Sequence, residues 1–299
     1  GAIDGALVRY AKLLELLRMN QVLAVGTFKL MFELEALPLT KTLTALCGNL
    51  WMGSLRSSRS ERVEYLLLHE FAKYDFIAPE AYSRQELEAR LREEASWNDE
   101  DNDEEASNAA ASNATKRKKP KYAGGMVLEP KRGFYEQWVA VLDFNSLYPS
   151  IIREYNICHS TTPHWRYNSF ADDVDRLQDL VPDGGVAQGV LPGVVKRLIE
   201  RRKAVKNLLK TASEADRVSL NIRQLALKLV ANSMYGCLGF PSSRFYCQPL
   251  AALITYKGRN ALDNAVFTAN NQGATIIYGD TDSIMVNTNT EQYREAQQL

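Results

Sequence analysis

Apolar positions along the chain fall into two patterns, helical recurrence and short continuous runs, and each predicts a different kind of element. Over 191–210 the apolar residues Val195, Leu198, Val205 and Leu209 recur on one helical face. A second helix is predicted over 215–236, with Ile222, Ala226, Leu229 and Ser233 on its packing side. A shorter helical pattern runs from Leu7 to Leu17. Elsewhere the apolar runs are strand-length. Val139 to Leu142 lacks clean alternation, which predicts a buried strand with Asp143 at its exit. Pro149 cannot extend a ladder, so the chain turns or starts a helix there. Ile276-Ile277-Tyr278 and Ile284-Met285-Val286 read as the arms of a hairpin with Gly279 at the bend.

The polar residues that interrupt these patterns carry the candidate chemistry. Asp280 and Asp282 sit two apart at the hairpin tip, where their repulsion costs stability unless a cation offsets it. Oxygen ligands of this kind suit Mg²⁺, which keeps waters and shares itself with substrate phosphates. An Asp-x-Asp turn taken alone is more often a solvated loop. If the strand ending in Asp143 lies beside the hairpin, the three carboxylates can converge on a pair of divalent ions. Ions about 4 Å apart clamp the attacking and leaving oxygens of a phosphoryl transfer. Arg202 falls inside the apolar stripe of the first helix, with Lys206 one turn on at its edge. Asn221, Gln224, Lys228, Asn232 and Tyr235 lie opposite the packing side of the second helix. Three cations, an amide and a phenol describe a triphosphate cradle with a platform for a base. The alternative is a basic, solvated helical hairpin.

Composition changes this picture little. The chain has 299 residues, 45% of them hydrophobic, which allows one or two cores. Its net charge is zero, yet the charge is patchy: 99–105 (DEDNDEE) is acidic, whereas 196–210 holds seven cations and one Glu. Local charge sets phosphate binding. From 84 to 121 acidic residues give way to SNAAASNAT and then to KRKKPK at 116–121, with few large apolar side chains. Such a stretch cannot offset the entropy of ordering, so 90–120 reads as a disordered linker. KRKKPK is either a nuclear localisation signal or a basic linker. Asn113-Ala114-Thr115 fits a glycosylation sequon, taken as incidental. Cys47, Cys158, Cys237 and Cys247 form no CxxC pair, and His69, His159 and His164 lack metal-ligand spacing. His69 is expected at a helix end. No apolar run approaches a membrane span, no signal peptide is evident, and no internal repeat is visible. A reducing intracellular compartment is consistent with this.

Three motifs, DFNSLYPSI at 143–151, KLVANSMYG at 228–236 and YGDTDS at 278–283, resemble the polymerase motifs of the family B DNA polymerases, in that family's order. The flanking stretches 36–51, 59–71, 122–135 and 234–240 are similar to the alpha type, which works with primase. Asn145 and the residues after Tyr235-Gly236 separate the chain from the delta type.

The resemblance implies an α/β (α+β) fold: an antiparallel palm sheet backed by helices, an α-helical fingers hairpin, and a partial N-terminal exonuclease-like region. Its implied boundaries are 1–89 for that region and the helices leading to the palm, 90–120 for the linker, 121–187 and 248–299 for the palm, and 188–247 for the fingers. Asp143, Asp282 and the carbonyl of Phe144 would hold two Mg²⁺ ions, which Mn²⁺ can replace, and Asp280 would support the site beside the primer end. Arg202, Lys206, Lys228 and Asn232 match triphosphate-binding positions, aided by the N–H groups of Ser146 and Leu147. Tyr148 matches a steric gate against the 2′-hydroxyl, and Tyr235 a platform near the nascent base pair. Tyr122, Gly124 and Gly125 match a loop near the template. Thr255, Gly258 and Arg259 match a DNA-backbone contact motif.

The implied activity is addition of dNMP from dNTP to an RNA-primed template, in the nucleus, with primase and accessory subunits docking outside this chain and no membrane involved. Proofreading is not expected, because 25–28 (VGTF) has no Asp where an exonuclease motif would place one. The thumb and the C-terminal cysteine clusters of the family are absent, so the chain reads as a fragment that binds DNA weakly. Two rivals stand beside this reading: another template-directed polymerase such as a reverse transcriptase, and an inactive scaffold in a replication assembly.

Overall fold

The computed structural model describes residues 2–56, 59–80, 83, 85, 86, 89, 122–162 and 174–297. The expected linker, the sequon, KRKKPK and His164 lie outside the described residues. The N-terminal part is helical: α1 (Ala2–Glu33), α2 (Ala36–Cys47), α3 (Trp51–Leu55) and α4 (Arg59–Ala72). The pattern seen at Leu7–Leu17 belongs to the longer helix α1, whose described side chains are nearly all exposed. His69 lies in the last turn of α4 with a ring nitrogen 3.2 Å from the carbonyl of Gly48. Among the described residues no helix is long and apolar enough to cross a membrane.

In the rest, one strand, a run of helices and a strand pair follow one another: β1 (Val139–Asp143), α5 (Leu147–Glu154), α6 (Val174–Asp179), α7 (Val190–Thr211), α8 (Glu214–Leu238), α9 (Gln248–Asn271), β2 (Thr275–Asp280), β3 (Ser283–Asn287) and α10 (Tyr293–Ala296). The strands form an antiparallel sheet in the order β1-β3-β2. Fold class is therefore mixed helix and antiparallel sheet, as the motifs implied.

Helix α9 organises the interior. Leu250, Leu253, Ile254 and Leu262 have no exposed surface, and Ala251 and Ala252 almost none. Its N-terminal half packs into the helical core with α5, α7 and α8, while Leu262 joins Ile276, Ile284 and Val286 beneath the sheet. Burying each such Leu or Ile contributes about 1.5–3 kcal/mol. Pro249 stands in the first turn of α9, where its missing N–H has no helical partner to lose.

Helices α7 and α8 form the antiparallel hairpin read from the sequence. Val195, Leu198 and Val205 are buried as expected, and Leu209 is half-buried. The packing stripe of α8 is turned by one position from the expected one: Leu227, Val230 and Met234 are buried beside Ala226, while Leu229 is 41% exposed. Period alone cannot set this phase, because Leu225 and Leu229 are as apolar as Leu227 and Val230. They line an open groove of about 490 Å³ with α2 and α4. Ser213 caps α8, its hydroxyl oxygen accepting from the Asp216 N–H at 3.3 Å while its O–H donates to the Asp216 carboxylate at 2.6 Å. Asn156 accepts from the N–H of Gly189 at 2.8 Å and so fixes where α7 begins.

Strand β1 departs from expectation. Val141 and Leu142 are 59% and 56% exposed, and Asp143 is exposed too. A run without alternation suits a strand covered on both faces, but among the described residues β1 is an edge strand paired only with β3.

Candidate active site

The three acidic residues meet at one corner of the sheet. Asp143 ends β1 and pairs with Ser283, and Asp280 ends β2 and pairs with the same Ser283. Residues directly opposite across antiparallel strands are about 4.5–5.5 Å apart at Cα, so one serine separates the two aspartates. Asp282 occupies the turn between β2 and β3, and its carbonyl accepts from the N–H of Phe144 at 2.7 Å. Asp143 and Asp282 are therefore neighbours across this bond.

Gly279 is not at the bend. It lies inside β2, opposite Ile284, and a Cβ there would stand 2.9 Å from Leu128 Cδ1. Glycine at this position admits the segment 126–131, whose Leu128 and Lys131 donate to the carbonyls of Gly279 and Ile277 at 2.8 and 2.9 Å. The bend is Thr281-Asp282. Thr281 has φ +50, and the N–H of Asp282 donates to the carbonyl of Asp280 at 2.5 Å. Positive φ is costly for a β-branched residue and persists only where the surroundings over-determine it. Here Thr281 N–H donates to Met126 at 2.8 Å, its hydroxyl donates to the Asp280 carboxylate at 2.8 Å, and Gly125 packs so closely that a Cβ would be 2.6 Å from Oγ1.

The electrostatics follow from this crowding. Partial burial raises the carboxyl of Asp282 above the ordinary aspartate range, and the negative charges of Asp143 and Asp280 push it the same way. A cation seated there would relieve that repulsion, and the donors on offer are all oxygen, which fits a hard divalent ion. Among the described residues no three His, Cys, Asp or Glu side chains form a ready-made cage. Asp143, Asp282 and the carbonyl of Phe144 thus suit an ion that takes its remaining ligands from water and phosphate.

Tyrosines line the floor beside the carboxylates. Ser146 has φ +56 and stands as N-cap of α5, leaving the first N–H groups of that helix open, as helix starts do. Tyr148 follows on α5. A Cβ on Gly258 would be 3.2 Å from its ring, so Gly258 lets α9 approach. The Tyr148 and Tyr235 rings lie 4.5 Å apart at their centroids, and the Tyr235 hydroxyl is 3.1 Å from that of Tyr122. Burial raises the phenol of Tyr148, with the charge of Asp282 adding to it; burial and the bond to Tyr122 raise that of Tyr235. Both stay neutral and can donate.

The cations sit on the hairpin. Lys206, Lys228 and Asn232 are exposed, and Arg202 is half-buried with an enclosed Nε that has no hydrogen-bond partner. No acidic partner of Arg202, Lys206 or Lys228 occurs among the described residues, whereas Arg197 pairs with Glu70 and Arg244 with Glu64. Those two ion pairs tie α4 to the hairpin and its exit. Thr255 and Arg259 turn toward the loop at Ala123 and Gly124: Thr255 Oγ1 donates to Ala123 at 3.0 Å, and Arg259 donates to both carbonyls at 2.7 Å.

Sequence reasoning missed two features near the site. Lys257 is 8% exposed, donates to Gln178 at 2.7 Å and lies 4.7 Å above the Tyr155 ring. Its position between Tyr256 and Gly258 is the only signal it leaves in the sequence. The strain at Thr281 leaves none.

A family model described as DNA polymerase family B matches residues 49–299. The chain is 47% identical over 297 residues to the DNA polymerase alpha catalytic subunit of Oryza sativa subsp. japonica, covering 95% of this chain and 18% of that protein. It is 44% identical over 276 residues to the DNA polymerase alpha catalytic subunit of Mus musculus, covering 91% and 18%. The family B DNA polymerase from the hyperthermophilic archaeon Pyrobaculum calidifontis matches with a TM-score of 0.60 at 27% identity, over 90% of this chain and 31% of that one. The chain thus spans about a fifth of the length of these curated relatives.

Proposed function

The chain belongs to the family B DNA polymerases, and we propose that it forms the nucleotide-transfer centre of an alpha-type replicative polymerase. The reaction is template-directed addition of dNMP from dNTP to the 3′-hydroxyl of an RNA-primed strand. The observation that carries this reading is the meeting of Asp143, Asp280 and Asp282 at one sheet corner, beside a helical hairpin whose Arg202, Lys206 and Lys228 have no acidic partner among the described residues.

Asp143 and Asp282, with the carbonyl of Phe144, hold two Mg²⁺ ions, for which Mn²⁺ can substitute. When bound, such ions acidify a hydroxyl nucleophile and neutralise phosphate charge. Asp280 supports the primer end. Arg202, Lys206, Lys228 and Asn232 bind the triphosphate and stabilise the charge that builds on departing pyrophosphate. The open N–H groups of Ser146 and Leu147 at the start of α5 meet phosphate oxygens. Tyr148 packs under the sugar and excludes a 2′-hydroxyl, and Tyr235 supports the nascent base pair. Tyr122, Gly124 and Gly125 face the template strand.

Residues 121–187 and 248–299 form the palm, 188–247 the fingers, and 1–89 an N-terminal region joined through 90–120. Motion of α7 and α8 toward the palm would make correct base-pair geometry a condition for chemistry. Primase and accessory subunits dock elsewhere on the longer polymerase, and the setting is the nucleus.

Titration of the chain with Mg²⁺ and Mn²⁺, followed by calorimetry and compared with Asp143→Asn, tests the reading. Saturable binding by the parent and its loss in the variant is expected; equal binding by both refutes the metal assignment.

A further inference from the structure

The first N–H groups of a helix have no partner inside it and must be met from outside. In α7 they are met from one short loop. Gly189, the residue before the helix, donates to Asn156 Oδ1 at 2.8 Å, Val190 to Ser160 Oγ at 3.4 Å, and Leu191 to Cys158 Sγ at 3.3 Å. Pro192 has no N–H, and Gly193 already donates to the carbonyl of Gly189 at 3.1 Å. All three side-chain acceptors stand in 156–160, just past α5. Gly189 is gripped closely as well: a Cβ there would be 2.7 Å from Cys158 Cβ and 2.9 Å from Thr161 Cγ2.

Asn156 is the centre of this loop. Its φ is +50, a conformation that asparagine adopts more readily than most residues. Its side-chain amide also donates to the carbonyls of Ala187 at 3.0 Å and Val186 at 3.4 Å, so one amide holds 186–189 through both its oxygen and its nitrogen. Its own carbonyl accepts from the Thr161 hydroxyl at 2.6 Å. One residue earlier, the Tyr155 ring lies under Lys257 of α9, which also donates to Gln178 of α6. The far end of α5 is therefore tied to two other helices where the chain reaches Asn156. Arg202 and Lys206 lie about 20 and 25 Å beyond Gly189 along α7, at 1.5 Å per residue. Over that length a tilt of about 3° at the base moves them by about 1 Å.

We propose that Asn156 is a positioning residue: the foot that sets the angle at which the α7–α8 hairpin leaves the rest of the chain, and so how Arg202 and Lys206 meet a nucleoside triphosphate. Helix α5 carries Tyr148 at its start and runs into Asn156 at its end, so one eight-residue helix joins the floor of the site to the base of the hairpin. Val194, Val195 and Leu198 also hold α7 in the apolar core. That attraction is non-directional and resists separation more than a small rotation, whereas hydrogen bonds have preferred angles. The consequence for nucleotide binding rests on the polymerase reading above; the foot itself does not.

Nitroxide labels at Thr211→Cys, at the tip of α7, and Asn270→Cys, near the end of α9, report the angle as a distance distribution by double electron–electron resonance. Both positions are exposed, and the four native cysteines are buried. The labelled chain is compared with Asn156→Gly, Asn156→Asp and Cys158→Ala. Glycine accepts φ +50, so Asn156→Gly removes the amide without strain; aspartate keeps an acceptor for Gly189, and Cys158→Ala leaves the backbone at 156 alone. Asn156→Gly is expected to widen or shift the distribution, Cys158→Ala to do so less, and Asn156→Asp to recover most of the parental width. A distribution in Asn156→Gly as narrow and as centred as the parent's overturns the foot, even with a lower melting temperature, because a merely stabilising side chain gives that result. The same outcome in Cys158→Ala overturns it if Asn156→Gly does not fold. A neutral hydrogen bond is worth about 2- to 10-fold in local population. In single-nucleotide extension Asn156→Gly is therefore expected to raise KM for dNTP by about that factor, with kcat and the Kd for primer–template at parental values, since saturating nucleotide draws the hairpin back into place. An unchanged KM, or one that rises only together with the Kd for primer–template, overturns the positioning role. A parent chain that extends no primer counts against the polymerase reading, and the distance distributions still decide the foot.

Discussion

The backbone N–H of Phe144 donates to the carbonyl of Asp282 at 2.7 Å. This single bond joins the residue after the β1 aspartate to the turn between β2 and β3, and it continues the ladder in which Asp143 and Asp280 flank Ser283. The carboxylates are thus placed by main-chain pairing, which a change of side chain leaves intact.

Asp282→Asn is expected to lose essentially all dNTP incorporation in a single-nucleotide extension assay while binding primer–template as the parent does. The amide keeps the turn and its backbone bonds but removes the charge that seats a cation. Incorporation at the parental rate removes Asp282 from the metal site.

The same substitution is expected to stabilise the fold. Burial and the neighbouring aspartates raise the Asp282 carboxyl, so the folded state binds its proton more tightly than the unfolded state. Stability then falls as pH rises through the window between the ordinary aspartate value and the raised one, and the penalty is fully present at neutral pH. Thermal melts should place Asp282→Asn above the parent at pH 7 and level with it once the pH drops below the ordinary aspartate range. A variant melting below the parent at pH 7 contradicts this sign.

Tyr148→Ala is expected to admit ribonucleotides if its ring, which packs between Gly258 and Tyr235, is the proposed steric gate. Gly258→Ala pushes on that ring from 3.2 Å and is expected to shift dNTP/rNTP selectivity, at a stability cost of about 1–3 kcal/mol. Unchanged selectivity in both variants rejects the gate.

The cysteines are expected to resist alkylation in the folded chain. Burial pushes the Cys237 and Cys247 thiols up to about 12 and Cys47 to about 11, and Cys158 has no exposed surface. Thiolate is the reactive form, and it is scarce here at neutral pH. Iodoacetamide labelling followed by mass spectrometry should find all four unmodified until denaturant is added; rapid native labelling of any one shows that its helix opens locally.

Much of this was legible along the chain. The hairpin helices α7 and α8 were visible because three-to-four spacing writes itself into any amphipathic helix, and Arg202 was conspicuous as a cation inside an apolar stripe. Both arms of the β2–β3 hairpin were visible as short apolar runs on either side of a turn. Helix α9 went unread as an element: its first turns, Pro249–Ile254, are apolar and buried on every side, so they show no face to detect, and that is what suits them to the interior of the helical core.

What the sequence determined by itself is chemistry: which side chains carry charge, which carry rings, and how far apart they fall. Tertiary structure alone decided their company. Gly279 looked like a bend and serves as a gap for Leu128; the covered strand at Val139–Asp143 is an edge; Arg259 and Thr255 meet the carbonyls of Ala123 and Gly124. Local periodicity records how one segment repeats, whereas close approach and edge position depend on pairing between segments distant in the chain, which no local pattern records.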